Sequence, residues 1–386
     1  MKVALAIERM EPLRGGRETY TARLAEELAR RGHAVTILCQ QRSWEPSREG
    51  IGFVEFGRTG LTRRRKLERF VADVERQATR AEYDVVHAML PVPAADVYHP
   101  HGGAVPASVE ASLGRRPAVV RPVARRLKRL NAARRLSAAL ERRIVEDGRA
   151  LCVCVSPLVA GQFRRHYGVE APLRVVFNGV DAPDAEGEER ADRRQRIRYK
   201  LGQEPGDVVF LTVATNFPLK GVAECIAAFA RYFHGRPRGC CDRLVVVGRE
   251  NPEAYSRYAG MRDIGRSVVF VPPTKDVFDW YAAADCFVLL TWYDPCSLTV
   301  LEATRWGIPS ITTEHNGAAD VLRDGGGIVL AGPRDLAGAT AAMETMADPD
   351  SRAAAAAACR KWAGYLTMER HVDELMGVYE EARRRR

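Results

Sequence analysis

The sequence predicts an α/β chain of two domains, each built on a doubly wound parallel sheet. Three observations predict it. The chain has 386 residues, enough for two domains of ordinary size that each bury a core. Near its start, Val3 to Ile7 is a short apolar run, followed by a loop with Gly15-Gly16, a helical stretch from about Arg17 to Arg31, and a second apolar run from Ala34 to Cys39. Strand, glycine loop, helix, strand is the βαβ unit. Far downstream, Asp285 to Thr313 (DCFVLLTWYDPCSLTVLEATRWGIPSITT) has the same order of strand, loop, helix and strand.

The elements follow in order. Gly15-Gly16 allows close approach of backbone to a ligand at a helix N-terminus, although a plain turn accounts for the pair equally well. Gly-x-Gly-x-x-Gly is absent, which argues against a dinucleotide enzyme. Ile51 to Phe56 predicts a strand, Thr62 to Arg80 a basic helix, and Tyr83 to Met89 a strand whose His87 is expected to be a packed residue. Val97 to Gly103 (VYHPHGG) puts two histidines at the end of a predicted strand, where an open α/β sheet binds its ligand. His101 is the candidate active-site residue, with His99 as the alternative. Leu151 to Val155 predicts a strand, with Ser156-Pro157 starting a helix.

From Arg115 to Arg143 the chain has eleven basic residues and one acid, Glu141, with Val119, Val123, Leu127, Leu130, Leu136 and Leu140 interleaved. An amphipathic helix or helix pair is predicted. A solvated arginine face, a surface for anionic lipid or a phosphorylated acceptor, and a nucleic-acid surface would all look like this. Residues 182–205 are polar and charged and read as a linker.

Val208 to Ala214 predicts the first strand of the second domain, and Lys220-Gly221 falls at a helix start, where a lysine can neutralise a diphosphate. Arg249 follows the next strand, and the loop Pro272-Pro273-Thr274 the one after. In the Asp285–Thr313 segment, Ser297 can cap a helix from Leu298 to Trp306. That helix start points free N–H groups and the positive dipole end at an anion. Asp294 in the loop and Glu302 eight residues later in the helix can accept hydrogen bonds from sugar and ribose hydroxyls; a turn acid and a solvated helix acid are the plainer reading.

Composition bounds the rest. Hydrophobic content of 46% and aromatic content of 8% are those of a globular chain, and a net charge of +10 favours an anionic partner. Nine cysteines show no metal-ligand spacing, so free thiols in a reducing cytoplasm are expected. No apolar run has the length of a signal peptide or a membrane span, which predicts a soluble or peripheral protein.

The segment AAADCFVLLTWYDPCSLTVLEATRWGIPSITT resembles the donor-site signature of glycosyltransferase family 4, the group 1 glycosyltransferases, where two glutamates stand eight apart before a Gly-x-Pro segment. Here the first acid is Asp294, one methylene shorter, and the second is Glu302. VSPLVAGQFRRHYGV…RVVFNGVD resembles the end of the family's first domain. VVGRENP, AAAD and the first-domain layout are most similar to lipopolysaccharide core heptose glucosyltransferases.

The resemblance implies the GT-B fold, two Rossmann-like domains facing across a cleft. Its parts would be residues 1–181 for the acceptor, a linker at 182–205, residues 206–365 for the nucleotide sugar, and a helix at 366–386 packing back on the first domain. It implies a retaining, metal-independent hexosyltransferase that needs no cofactor, taking glucose from UDP-glucose to a sugar hydroxyl of a cell-envelope glycolipid such as the lipopolysaccharide core. Implied catalytic residues are His101, Asp294 and Lys220. The implied donor-binding set is Gly15, Gly16, Asn216, Lys220, Gly221, Arg249, Pro273, Asp294, Ser297, Leu298, Thr299 and Glu302. The family's usual Arg beside Lys220 is missing, and Arg249 can replace it. No carboxylate nucleophile is evident, which favours front-face attack over double displacement. The expected setting is cytoplasmic, at the inner face of the membrane through Arg115–Arg143, without nucleic acid. The rivals are a same-fold enzyme using GDP-mannose or another donor, and a non-catalytic nucleotide-sugar or polyanion binder.

Overall fold

The computed structural model describes residues 1–386 except 13–14, 81, 169–172, 184–186 and 238, with backbone alone at 118 and 129. The chain divides into two units: Met1–Gly179 with Thr367–Arg386, and Val180–Leu366.

The first unit contains β1 (Lys2–Ala6), β2 (Arg9–Met10), α1 (Gly16–Arg30), β3 (Ala34–Cys39), β4 (Gln41–Arg42), β5 (Ile51–Glu55), α2 (Arg63–Arg80), β6 (Val85–Ala88), β7 (Val97–Tyr98), α3 (Val105–Gly114), α4 (Arg121–Leu130), α5 (Ala132–Asp147), β8 (Leu151–Cys154), α6 (Pro157–Tyr167) and β9 (Leu173–Val175). Its main sheet is parallel, in the order β5-β3-β1-β6-β7-β8-β9. Val3 to Ala6 and Val85 to Ala88 are fully buried, as parallel strands covered on both faces must be. Ser156 caps α6, its hydroxyl accepting from the Val159 N–H at 3.4 Å.

The second unit contains α7 (Glu188–Leu201), β10 (Val209–Ala214), α8 (Val222–His234), β11 (Arg243–Gly248), α9 (Glu253–Gly260), β12 (Val268–Val271), α10 (Val277–Ala283), β13 (Cys286–Leu289), α11 (Leu298–Arg305), β14 (Ser310–Thr313), β15 (Gly327–Leu330), α12 (Leu336–Ala347) and α13 (Pro349–Lys361). Its sheet, also parallel, runs β12-β11-β10-β13-β14-β15. Strand order reverses between β10 and β13, so the loops after those two strands flank the crevice where such sheets bind ligands.

The final helix, α14 (Met368–Arg385), belongs to the first unit. Met368, His371, Val372, Leu375, Val378, Tyr379 and Ala382 form its buried stripe, at the spacing of one helix face, against α1, β6 and β7.

The linker expected at 182–205 is corrected by the structure. Most of it is α7, packed on α10 inside the second unit. Arg194 and Arg198 donate to the buried carboxylate of Asp285 at 2.6 and 2.9 Å, while Arg193 and Arg196 reach Asp279 at 3.2 and 2.5 Å. The charge that read as solvated linker is one half of an ion-pair network whose other half lies some 85 residues downstream.

All nine cysteines are free thiols, and burial pushes those of Cys152, Cys225 and Cys359 up to about 12. No helix among the described residues is long and apolar enough to cross a membrane.

Candidate active site

In the second unit the expected residues gather at the C-terminal edge of the sheet. The loop after β10 carries Asn216, Lys220 and Gly221; Arg249 follows β11, Pro273 follows β12, and Asp294 follows β13. Two of these loops are stitched together. Trp292 N–H donates to the Leu219 carbonyl at 2.9 Å, the Thr291 hydroxyl donates to the same oxygen at 3.1 Å, and the Lys220 ammonium pairs with the Asp294 carboxylate. Asp294 is buried and held on both sides of its peptide: its N–H donates to the His315 carbonyl at 2.9 Å, and its carbonyl accepts from Gly317 N–H at 2.8 Å.

Gly221 is what lets these loops meet. It starts α8 at φ 71°, and a Cβ there would run into the Leu290 backbone carbonyl. Gly221→Ala is therefore expected to cost on the order of 2–4 kcal/mol, from left-handed strain plus the collision, as a fall in the melting transition of the second unit.

Ser297 occupies the N-cap position of α11, but its hydroxyl bonds the Thr299 hydroxyl at 3.0 Å and makes no cap bond to a helix amide. The cap expected from sequence is thus positional only. Instead, the Asn316 carboxamide oxygen accepts from the Ser297 and Ala318 amides at 3.2 and 3.0 Å, and its nitrogen donates to the Thr312 hydroxyl at 3.0 Å. The first intrahelical bond, Leu301 N–H to Ser297 C=O at 3.1 Å, leaves the earlier amides, among them Leu298 and Thr299, directed out of the helix N-terminus. One turn further in, Glu302 is buried and accepts from the Tyr281 hydroxyl at 3.1 Å. That hydroxyl also lies 3.2 Å from the Thr299 carbonyl.

The remaining expected residues lie on exposed loops. Asn216 is exposed, and its side-chain oxygen accepts from Leu219 N–H at 3.0 Å, shaping the turn before Lys220. Arg249 and Pro273 are exposed on their strand-end loops.

Sequence reasoning missed Asn316 and Tyr281 as site residues. The signal for Asn316 was the Asn-Gly turn after an apolar run; Tyr281 has none, since only the fold brings it to Glu302.

In the first unit, Gly15 stands at the N-cap of α1 and Gly16 is its first residue. A Cβ on Gly15 would lie 3.2 Å from a Glu18 carboxylate oxygen. His99 and His101 follow β7 at the C-terminal edge of that sheet. The half-buried His101 ring packs 3.9 Å from the Tyr20 ring and 4.2 Å from that of His99. His87, expected as an isolated packed residue, is buried, but not alone: its Nε2 lies 3.1 Å from His99 Nδ1 and its Nδ1 2.7 Å from the Tyr379 hydroxyl. His371 completes the group. Burial drives all four imidazoles below the usual histidine range, His87 and His371 to about 3, so the cluster is neutral at pH 7. Among the described residues no set of three His, Cys, Asp or Glu side chains could hold a metal ion.

The basic segment of 115–143 is a helix pair. α5 is anchored by buried Glu141, whose carboxylate accepts from the Tyr98 and Tyr167 hydroxyls at 2.8 and 2.5 Å and from Val105 N–H at 2.8 Å. α4 is different: Val119 and Val120 before it, and Val123, Leu127 and Leu130 along it, stand exposed among its arginines. Partial burial, then the charges of Arg134, Arg116 and Arg115, bring the Lys128 ammonium down to about 8.

Comparison with known proteins fits this geometry. Residues 14–183 match the family model described as Glycosyltransferase Family 4, and residues 206–348 match that of Glycosyl transferases group 1. Over 338 residues the chain is 26% identical to lipopolysaccharide glucosyltransferase WaaG of Escherichia coli K12, covering 86% of each. It is 32% identical over 235 residues to the D-inositol 3-phosphate glycosyltransferase of Geodermatophilus obscurus, a match spanning 58% of this chain and 50% of that protein. Among solved structures, a WaaG crystal structure superposes at a TM-score of 0.79 with 22% identity, over 99% of this chain and 98% of that one. Anabaena Alr3699/HepE in complex with UDP and glucose gives 0.71 with 18% identity, over 98% and 99%. With two matched family models, two parallel-sheet units and this shared fold, the chain belongs to the family 4, group 1 glycosyltransferases and has the GT-B fold.

Proposed function

We propose that the protein transfers glucose from UDP-glucose to a sugar hydroxyl of a cell-envelope glycolipid or glycan, such as a lipopolysaccharide core, with retention at the anomeric carbon and without a metal or cofactor. The observation that carries this reading is the second-unit constellation: Lys220 paired with Asp294 in the loops at the strand reversal, with the N-terminus of α11 and buried Glu302 beyond. Glu302, oriented by Tyr281, receives the ribose hydroxyls. Asp294 orients the hexose. Lys220, the α11 amides at Leu298 and Thr299, and Arg249 stabilise the charge that grows on the departing diphosphate. Asn216 and Gly221 shape the Lys220 loop, Ser297 the helix start, and Pro273 the base pocket; Gly15, Gly16 and His101 serve the sugar and acceptor side. The acceptor oxygen bonds to the anomeric carbon on the face from which UDP leaves, and its proton passes to the leaving phosphate oxygen. Similarity to WaaG supports the glucosyl donor and the glycolipid acceptor.

The test is a panel of nucleotide sugars, read by binding and by slow hydrolysis, with Glu302→Ala beside the wild type. We expect one UDP-sugar to bind and the variant to lose about tenfold to a hundredfold in affinity, the worth of one or two hydrogen bonds to a charged group. If no nucleotide sugar binds, the donor-site assignment fails.

We further propose that α4 seats the enzyme on the cytoplasmic face of an anionic membrane. Its exposed Val123, Leu127 and Leu130 supply the apolar contact and its arginines the electrostatic one, each worth about 1 kcal/mol near an anionic surface. Vesicles containing phosphatidylglycerol should sediment with the protein, phosphatidylcholine vesicles far less, and Leu127→Glu should release it. Equal binding to both lipids would refute the electrostatic half.

A further inference from the structure

The histidine cluster of the first unit holds more than packing. It runs from the Phe177 carbonyl through His371 and Tyr20 to His99, and on through His87 to Tyr379. Its protons can be placed by logic. A carbonyl only accepts, so the contact at 2.8 Å between Phe177 O and His371 Nδ1 puts the His371 proton on Nδ1. The neutral ring then offers only a lone pair at Nε2, and the Tyr20 hydroxyl, 2.7 Å away, must donate to it. With its proton spent, Tyr20 turns an oxygen lone pair towards His99 Nδ1 at 3.4 Å, and His87 Nε2 lies 3.1 Å from that same nitrogen.

Two arrangements of His99 remain. With a proton on Nδ1, it donates to His87 Nε2 with Tyr20 as second acceptor; His87 carries its proton on Nδ1 and donates to the Tyr379 oxygen at 2.7 Å. With the proton on Nε2, His99 Nδ1 and Tyr20 face each other lone pair to lone pair. Among the described residues His99 Nε2 has no hydrogen-bond partner and the residue is fully buried, so a buried N–H is then left unpaired. Orphaned buried N–H groups are rarer than under-satisfied acceptors. The first arrangement wins, and His99 Nε2 is a bare acceptor. Beside it lies His101, its ring packed on Tyr20 and its own Nε2 likewise without a partner among the described residues.

We propose that Tyr20 and His371 are positioning residues of the transfer: the C-terminal helix, acting through the Tyr20 hydroxyl, fixes His99 with a bare Nε2 and holds the ring platform from which His101 meets a sugar hydroxyl. This rests on the reading of His101 as a substrate-side residue. It brings into the reaction a helix that the donor and acceptor motifs do not include.

The test begins with the tautomers of the wild-type protein. Nitrogen-15 spectra of histidine-labelled wild-type protein, assigned with His99→Gln, should show His99 and His371 both protonated at Nδ1 and unprotonated at Nε2. Protonation of His99 at Nε2 overturns the proposal. Tyr20→Phe keeps the ring and removes the hydroxyl. It should spread His99 over both tautomers and lower kcat about tenfold, as the loss of one oriented hydrogen bond predicts, with the donor KM unchanged and the melting temperature lowered by only about 2–4 °C. His371→Gln, which retains an acceptor for Tyr20, should restore most of the rate that His371→Leu loses. Wild-type kcat in Tyr20→Phe, or equal loss in both His371 variants, overturns the positioning role. Absence of turnover by the wild type on every nucleotide sugar would instead strike the transferase reading, and the tautomer would still be decided by the spectra.

Discussion

Lys220→Ala is expected to lower kcat by about 10²- to 10³-fold, the loss typical when one preorganised group facing developing negative charge is removed. Donor affinity should fall less, because the donor diphosphate already carries its charge when it binds, while the additional charge develops only as the bond to the anomeric carbon breaks. The pairing of Lys220 with Asp294 sharpens the expectation. Asp294 is buried, so removing the ammonium leaves a carboxylate in a low-dielectric setting with its cation gone and adds repulsion against the incoming diphosphate. Lys220→Ala/Asp294→Ala should therefore bind UDP better than Lys220→Ala alone, while both turn over far more slowly than the wild type. Titration calorimetry with UDP beside steady-state rates separates the two effects. A double variant that binds UDP no better would mean that Asp294 does not face the diphosphate.

The second large effect is acid destabilisation of the first unit. His87 and His371 titrate near 3 in the folded protein against about 6.5 in an unfolded chain. Between those values the unfolded state binds more protons, so the stability present above pH 6.5 is lost progressively as pH falls towards 3. Each buried histidine contributes a slope of about 1.4 kcal/mol per pH unit within that window. Urea midpoints followed through amide exchange in β1 and β6 should drop steeply from pH 7.5 to 5, and less steeply in His87→Gln. A midpoint flat across that range would show that the cluster is charged or solvated. The surrounding groups do not reverse the sign: Tyr20 and Tyr379 stay protonated throughout, and Arg17 and Arg370 add positive charge that opposes imidazolium.

What was legible in the sequence was what is local. Asp285 to Thr313 declares its strand, loop, helix and strand within 29 residues, so the sequence alone puts Asp294 on a loop and Glu302 on a helix. Lys220-Gly221 was legible for the same reason. The missed contacts are long-range. Tyr281 meets Glu302 across 21 residues, Arg198 meets Asp285 across 87, and Tyr379 meets His87 across 292. A histidine on an apolar strand looks solitary when its partners come from other elements, and a polar stretch looks like linker when its counter-charges lie far downstream. The Ser297 cap failed for a subtler reason: the Ser297 hydroxyl pairs with the Thr299 hydroxyl rather than with a helix amide.

The place of α14 in the chain sets the order in which the protein can be made. It follows the whole of the second unit, yet its buried stripe closes the first. A ribosome therefore delivers all of Val180–Leu366 while the N-terminal portion still lacks His371 and Tyr379, the partners of Tyr20 and His87. The usual sequence, in which the first-synthesised domain is finished first, is inverted. Until Met368–Arg385 emerges, the nascent first unit exposes the apolar faces of β6, β7 and α1 that this helix later covers, and chaperone contact should concentrate there late in translation.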